Sequence, residues 1–228
     1  MTYCVSDIHG ELDKFTQMLE LIRFSDEDHL YVLGDVIDRG PLGVDLLRII
    51  MNASNMTMLL GNHEQMCLST LGPRNEFGAK NLWRMNGGML TYRELLYHRT
   101  HQERHEILRF LIGLPDLINL EVGGQKFCLV HGCPGDDHDT RIWGRVDADS
   151  KSPFPGTICI VGHTPTVFLT NRHDEDLSIW HGEGILDIDC GCGNRDAVHR
   201  RLACLRLEDF VIFSIKYPRN FLVLFQFL

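Results

Sequence analysis

Five short turns along the chain carry residue types that bind divalent cations. They read Asp7-Ile8-His9-Gly10, Gly34-Asp35-Val36-Ile37-Asp38-Arg39-Gly40, Gly61-Asn62-His63-Glu64, His131-Gly132 and Gly162-His163-Thr164. Imidazole nitrogen together with carboxylate oxygen suits manganese, iron or zinc; an all-oxygen set would suit magnesium or calcium. A natural division gives one ion Asp7, His9 and Asp35, and the other Asp35, Asn62, His131 and His163. Asp35 would bridge, because a carboxylate has two oxygens. Two such ions, roughly 3.5–4 Å apart, can share a water and lower its pKa to about 7, so that hydroxide is available at neutral pH.

One such turn alone says little. A lone D-x-H-G is more often a polar loop, and G-N-H-E alone reads as a helix N-cap. Five in order have no comparable structural explanation, because each follows an apolar, strand-like run and sits beside a glycine. In open α/β sheets, sites form beyond the carboxyl ends of the strands. The elements must therefore bring five strand ends to one rim.

The patterning supplies such elements. Residues 2–6, 29–34 and 56–61 read as strands. Between and after them lie a helix over 11–23, with Leu12, Phe15, Met18, Leu19 and Ile22 on one face, a helix opened by Pro41, and a helix from Glu64. Residues 79–113 read as helical. After Pro115 come LINLEV, KFCLVHG, TICIVGH, ILDIDCG and RLACLRL, short β-like runs assigned to a second sheet. The expected fold class is α/β: two packed mixed β-sheets flanked by α-helices, as a single domain over 1–228.

The five motifs, with their order, resemble the signature of the phosphoprotein phosphatase family of metallophosphoesterases. The stretch Gly61–Met66, GNHEQM, is most similar to the bacterial and bacteriophage lambda-type branch. The resemblance spans roughly residues 2–207. It implies the calcineurin-like fold, two bound metals (often manganese in bacterial members) and hydrolysis of phosphate monoesters by a hydroxide bridging the metals. By that resemblance Asp7, His9, Asp35, Asn62, His131 and His163 are metal ligands. His63 is the catalytic acid, Asp38 orients it, and Arg39 binds phosphate, with Arg145 of Trp143-Gly144-Arg145 as the second arginine. Asn62 would also face the substrate.

The chemistry is coherent. A forked guanidinium matches two phosphate oxygens. A serine alkoxide leaves poorly and needs a proton, which an imidazole paired with a carboxylate can give. Some residues depart from the family pattern. Ser6 and Cys133 stand where glycine is usual, NRDAVH alters the closing glycine-rich turn, and the tail after Asp209 is unusually apolar.

The 228 residues are 44% hydrophobic and 23% charged, with a formal net charge of −9. That balance speaks against a grip on a nucleic-acid backbone. The start of the chain lacks signal-peptide features, and the eight cysteines mostly lie in apolar runs, so reduced thiols and a cytoplasmic location are expected. A membrane span needs about 20 apolar residues, and Lys216, Pro218 and Arg219 interrupt the terminal run, which reads as a strand plus a packing tail. His98, His101 and His105 read as a solvated helix face, His181 as no ligand, and Asp136, Asp137 and Asp139 as a solvated loop or a selective rim. The expected substrate is phosphoserine or phosphothreonine in proteins. The rival is a dinucleoside polyphosphate such as diadenosine tetraphosphate, disfavoured by Asp38 and Glu64.

Overall fold

A computed structural model describes residues 1–170, 177–195, 197 and 199–217. Its first half alternates strand and helix: β1 (Thr2–Val5), α1 (Leu12–Leu21), β2 (His29–Val32), α2 (Gly43–Asn52), β3 (Met56–Met58) and α3 (Asn62–Leu71). Then come α4 (Ala79–Met85), α5 (Met89–Arg93), a π-helical turn over Glu94–His98 and α6 (His101–Ile112). The second half holds β4 (Leu117–Val122), β5 (Gln125–Val130), α7 (His138–Trp143), β6 (Thr157–Val161), β7 (Trp180–His181), β8 (Ile185–Asp187), β9 (Arg201–Arg206) and β10 (Ile212–Lys216).

Two five-stranded mixed sheets result, ordered β10-β9-β1-β2-β3 and β4-β5-β6-β8-β7. In the first, β1, β2 and β3 run parallel. In the second, β5, β6 and β8 run parallel. The sheets pack face to face through alternate residues: Phe127 and Leu129 of β5 meet Cys4, Leu33, Leu59 and Leu205 of the first sheet. The intervening Cys128 and Val130 point to the other side, with Val146 and Val161, as the two-residue period of a strand requires. On the outer face of the first sheet, Phe15 and Met18 of α1, Leu47 and Ile50 of α2, and Ile107 and Leu111 of α6 close a second core.

Some expectations need correction. The run RLACLRL belongs to the first sheet, because β9 pairs antiparallel with β1 (Val5 opposite Cys204). A chain crossing back between sheets leaves no local mark in the sequence. The second helix starts at Gly43, two residues after Pro41, because Asp38 and Arg39 are held in left-handed conformations. The terminal strand exists as β10, paired with β9; the apolar tail after it lies outside the described residues. All eight cysteines are free, and only Cys133 is not buried. Among the described residues no helix is long and apolar enough to cross a membrane.

Candidate metal centre

Carboxyl ends of parallel strands from both sheets meet at one rim. Asp7 follows β1, Asp35 follows β2, Asn62 opens α3 after β3, His131 ends β5 and His163 follows β6. Asp7, His9, Asp35, Asp38, Arg39 and His163 all adopt positive φ, between 48° and 72°. Side chains other than glycine rarely adopt that conformation, and each instance costs about 1–3 kcal/mol, so its concentration at one rim marks a functional site. Backbone bonds over-determine the turns: His9 N–H donates to Asp35 O at 2.9 Å, Gly10 N–H to Val36 O at 2.8 Å, and Gly162 N–H to His131 O at 2.9 Å. Gly162 has no room for a side chain. A Cβ there would lie 2.0 Å from Ser6 Oγ and 2.4 Å from Asp7 Oδ2.

On one side lie Asp7, His9 and Asp35. His9 Nδ1 lies 3.1 Å from the Ile37 carbonyl, which can only accept, so Nδ1 carries the proton and Nε2 presents a lone pair. That Nε2 is buried and has no hydrogen-bond partner. It faces Asp35 Oδ2 at 3.6 Å and Asp7 Oδ1 at 3.9 Å. These separations are too long for hydrogen bonds and suit donors sharing an ion. Asp7 Oδ2 is already occupied, accepting from Ser6 Oγ and, at 3.0 Å, from His163 N–H. The serine that replaces the usual glycine thus helps orient Asp7.

On the other side, His131 Nδ1 donates to Leu33 O at 2.7 Å, which leaves Nε2 as a lone pair. It lies 3.1 Å from Asn62 Oδ1 and 3.3 Å from Asp35 Oδ1. In this amide orientation all three atoms are acceptors. Turning the amide over would place its nitrogen 3.0 Å from Asp35 Oδ2 and 3.2 Å from His163 Nδ1. Amide, carboxylate and two imidazoles therefore converge on one point, where a divalent cation would satisfy all four. Burial, with His131 and Arg145 nearby, pushes the His163 imidazole down to about 2. Burial, with His63 and Arg39 nearby, holds His9 well below its ordinary value. Neutral imidazoles are the form that binds metal. The donor set fits two divalent ions sharing Asp35.

His63 stands beside this pair. Its Nδ1 lies 2.7 Å from Asp38 Oδ2, and Arg39 Nη2 lies 3.1 Å from its Nε2. Burial alone would lower the His63 imidazole, but the Asp35 and Asp38 carboxylates outweigh it and hold it above its ordinary value. Asp38 is itself anchored: Trp83 Nε1–H donates to Oδ2 at 2.6 Å, and the Asp38 amide donates to Thr91 Oγ1 at 3.0 Å. A cleft of about 580 Å³ opens over the donors, walled by Arg39, Asn86, Trp143, Arg145 and Phe168. Arg145 is exposed, and its guanidinium donates to the His163 carbonyl at 3.2 Å. Every site residue expected from the sequence lies at this rim.

Several residues carry roles the sequence does not reveal. Trp83 and Thr91 lie 45 and 53 positions from their partner Asp38, with no motif to mark them. Glu64 does not face the cleft; four backbone amides, of Asp35, Val36, Ile37 and Gly61, donate to it. Asp189 lines the cleft although no motif reading selected it. The discounted candidates stay apart. His98, His101, His105 and His181 are exposed, and Asp137 caps α7 by accepting Thr140 N–H at 2.8 Å. Of the altered segment NRDAVH, residues 196 and 198 lie outside the described residues; Arg195 and the following Arg200 lie 3.8 and 3.5 Å from Glu11.

Residues 2–187 match the family model of calcineurin-like phosphoesterases. The chain is 32% identical over 158 residues to serine/threonine-protein phosphatase 2 of Escherichia coli (strain K12). That match covers 67% of this chain and 66% of the relative, just under two thirds of its length. It is also 34% identical over 131 residues to a symmetrical bis(5'-nucleosyl)-tetraphosphatase of Acidovorax ebreus (strain TPSY), covering 57% of this chain and 42% of that one. The fold is similar to a crystal structure of a metallophosphoesterase from Sphaerobacter thermophilus. The TM-score is 0.59 at 17% identity, over 96% of this chain and 88% of that one.

Proposed function

The chain belongs to the calcineurin-like phosphoesterase family, hydrolases of phosphoric esters, and from that premise we propose that it is a two-cation protein serine/threonine phosphatase. The observation that carries this reading is the His63–Asp38 pair set beside donors that share Asp35. When bound, two divalent ions, Mn²⁺ by preference for this imidazole, carboxylate and amide set, supply positive charge for the phosphoryl oxygens and acidify water.

The chain's own residues do the rest. Asp7, His9 and Asp35 would hold one ion; Asp35, Asn62, His131 and His163 would hold the other. Arg39 and Arg145, on the cleft wall, clamp and orient the phosphoryl group. In the free enzyme the Arg39 guanidinium is within hydrogen-bond reach of His63 Nε2. Once a phosphoryl group engages that guanidinium, Nε2 is free to carry a proton to the departing oxygen. Asp38 keeps the ring oriented and stabilises its cationic form.

This relay favours an alcohol as leaving group. A serine or threonine alkoxide cannot depart unprotonated, whereas a nucleotide phosphate is a far weaker base and needs little help. The E. coli relative, named a serine/threonine phosphatase, also matches a larger share of the chain than the Acidovorax tetraphosphatase does. Glu64 adds nothing to this choice by contact, since its carboxylate is taken up by backbone amides. Free, mostly buried thiols fit a reducing, cytoplasmic setting.

The test is phosphate release by metal-stripped protein resupplied with Mn²⁺, comparing a phosphoserine and phosphothreonine peptide panel with diadenosine tetraphosphate. Fast peptide turnover with little nucleotide cleavage is the expected result. The reverse would move the substrate to nucleotides while keeping the metal chemistry.

A further inference from the structure

We infer that Asp189 is a further donor to the cation site on the His9 side. This rests on the two-cation reading above. Six parallel strands end at the rim, three from each sheet: β1, β2, β3, β5, β6 and β8. Five of them deliver a residue already assigned to an ion. Asp189 follows β8, the sixth, and stands just before a glycine turn, Asp189-Cys190-Gly191, as Asp7 and His131 stand before Gly10 and Gly132.

The two ion sites are unequal without it. The His131 side has four converging donors; the His9 side has Asp7 Oδ1, His9 Nε2 and Asp35 Oδ2. Manganese prefers octahedral surroundings rich in oxygen, and three donors leave that shell half filled. Asp189 is 4% exposed and lines the cleft with Asp7 and Asp35. Its Oδ1 accepts Gly191 N–H at 2.9 Å, which fixes the carboxylate beside the cleft. The segment that follows closes on His9 itself: a Cβ on Gly193 would lie 1.9 Å from His9 Cδ2, and Cys192 Sγ donates to Ile8 O at 3.6 Å. The buried His9 Nε2, without a hydrogen-bond partner, independently marks a ligand at this point.

Asp187 is the internal comparator. It is equally buried and two residues away, and its Oδ1 accepts Asp189 N–H at 2.9 Å, but it does not line the cleft. The experiment is Mn²⁺ binding to wild type, Asp189→Asn and Asp187→Asn, followed by metal analysis at equilibrium and by the spin-coupled signal of an ion pair in electron paramagnetic resonance. Wild type and Asp187→Asn should bind two ions and show the coupled signal. Asp189→Asn should keep one tight ion and bind the second about 10–100-fold more weakly, losing the coupled signal at limiting Mn²⁺. Two ions at wild-type affinity in Asp189→Asn would overturn the inference alone. Failure of wild type to bind a second ion would overturn the two-cation reading and this inference with it. Should Asp189→Asn not fold, a crystal structure of wild type with Mn²⁺ decides. Anomalous density beyond direct or one-water reach of the Asp189 carboxylate rejects the assignment, and density within it supports the assignment.

Discussion

The Glu64 carboxylate accepts the Asp35 amide at 2.8 Å, and its second oxygen takes the amides of Val36 and Ile37 at 2.9 and 3.2 Å. It also accepts Gly61 N–H at 3.1 Å, so it ties the turn that carries the shared carboxylate to the start of α3. Glu64→Gln keeps the length but turns one acceptor oxygen into a donor facing amide donors. The metal-free protein should lose about 1.5–3 kcal/mol of stability, as for buried hydrogen bonds to a charged group. Urea unfolding measures it; an unchanged midpoint and slope would show that the clamp does not hold the turn.

Asp35 faces both groups of donors: Oδ2 lies 3.6 Å from His9 Nε2 and Oδ1 lies 3.3 Å from His131 Nε2. Asp35→Asn should therefore lose metal and activity together. Saturating Mn²⁺ at a hundred times the dissociation constant should stabilise wild type by about 2.7 kcal/mol per site. The variant should show almost none of this shift in a thermal melt, and a shift of wild-type size would refute the shared role.

His63 Nδ1 lies 2.7 Å from Asp38 Oδ2 and Arg39 Nη2 lies 3.1 Å from its Nε2; His9, Asp35 and His63 also lie close enough to hold an ion together, so the proposed acid role is tested against a ligand role. His63→Asn should retain both ions by metal analysis. Turnover of a phosphoserine peptide should fall roughly 10²–10⁴-fold, and that of p-nitrophenyl phosphate, whose leaving group needs no proton, much less. Equal losses on both substrates would remove the acid role.

Trp83 acts through Asp38, to which its indole N–H donates at 2.6 Å. Trp83→Phe keeps the buried ring and removes the donor. A loss of about 10-fold in kcat for the peptide, with KM and metal content near wild type, is expected for a partner that orients a catalytic carboxylate. A rise in KM with kcat unchanged would mean that the ring serves binding instead.

Seven of the eight cysteines are buried. Burial pushes the Cys192 thiol up to about 12, so at pH 8 almost none of it is thiolate. A colorimetric thiol reagent should find at most one slowly reacting group in the native protein, Cys133, and eight after unfolding. Two or more fast groups in the folded protein would contradict the packing of these strands.

Much of the site was legible in the sequence because its grammar is local. A strand followed by a turn with Asp, Asn or His beside glycine can be read within six residues, and Asp7, Asp35, Asn62, His131 and His163 all obey it. Asp189 obeys it too, but its run ILDIDCG also reads as an ordinary buried strand, so the carboxylate was passed over. Glu64 could be mistaken for a substrate contact because a motif gives residue order and not the direction of a side chain. The helix after Pro41 was placed two residues early because left-handed turns at Asp38 and Arg39 carry no signature in residue type.

By itself the sequence determined the candidate donor types, their order, the two-layer α/β class, the Asp38–Arg39 pair of the second turn and His63 of the third, since these follow from residue chemistry and short-range periodicity. Only the tertiary structure decided that β9 returns to the first sheet, that Trp83 and Thr91 anchor Asp38, and that three strand ends from each sheet share one cleft. Those facts depend on contacts between residues tens of positions apart. Such contacts are set by how whole faces pack, and neighbouring residues in the chain hold no record of them.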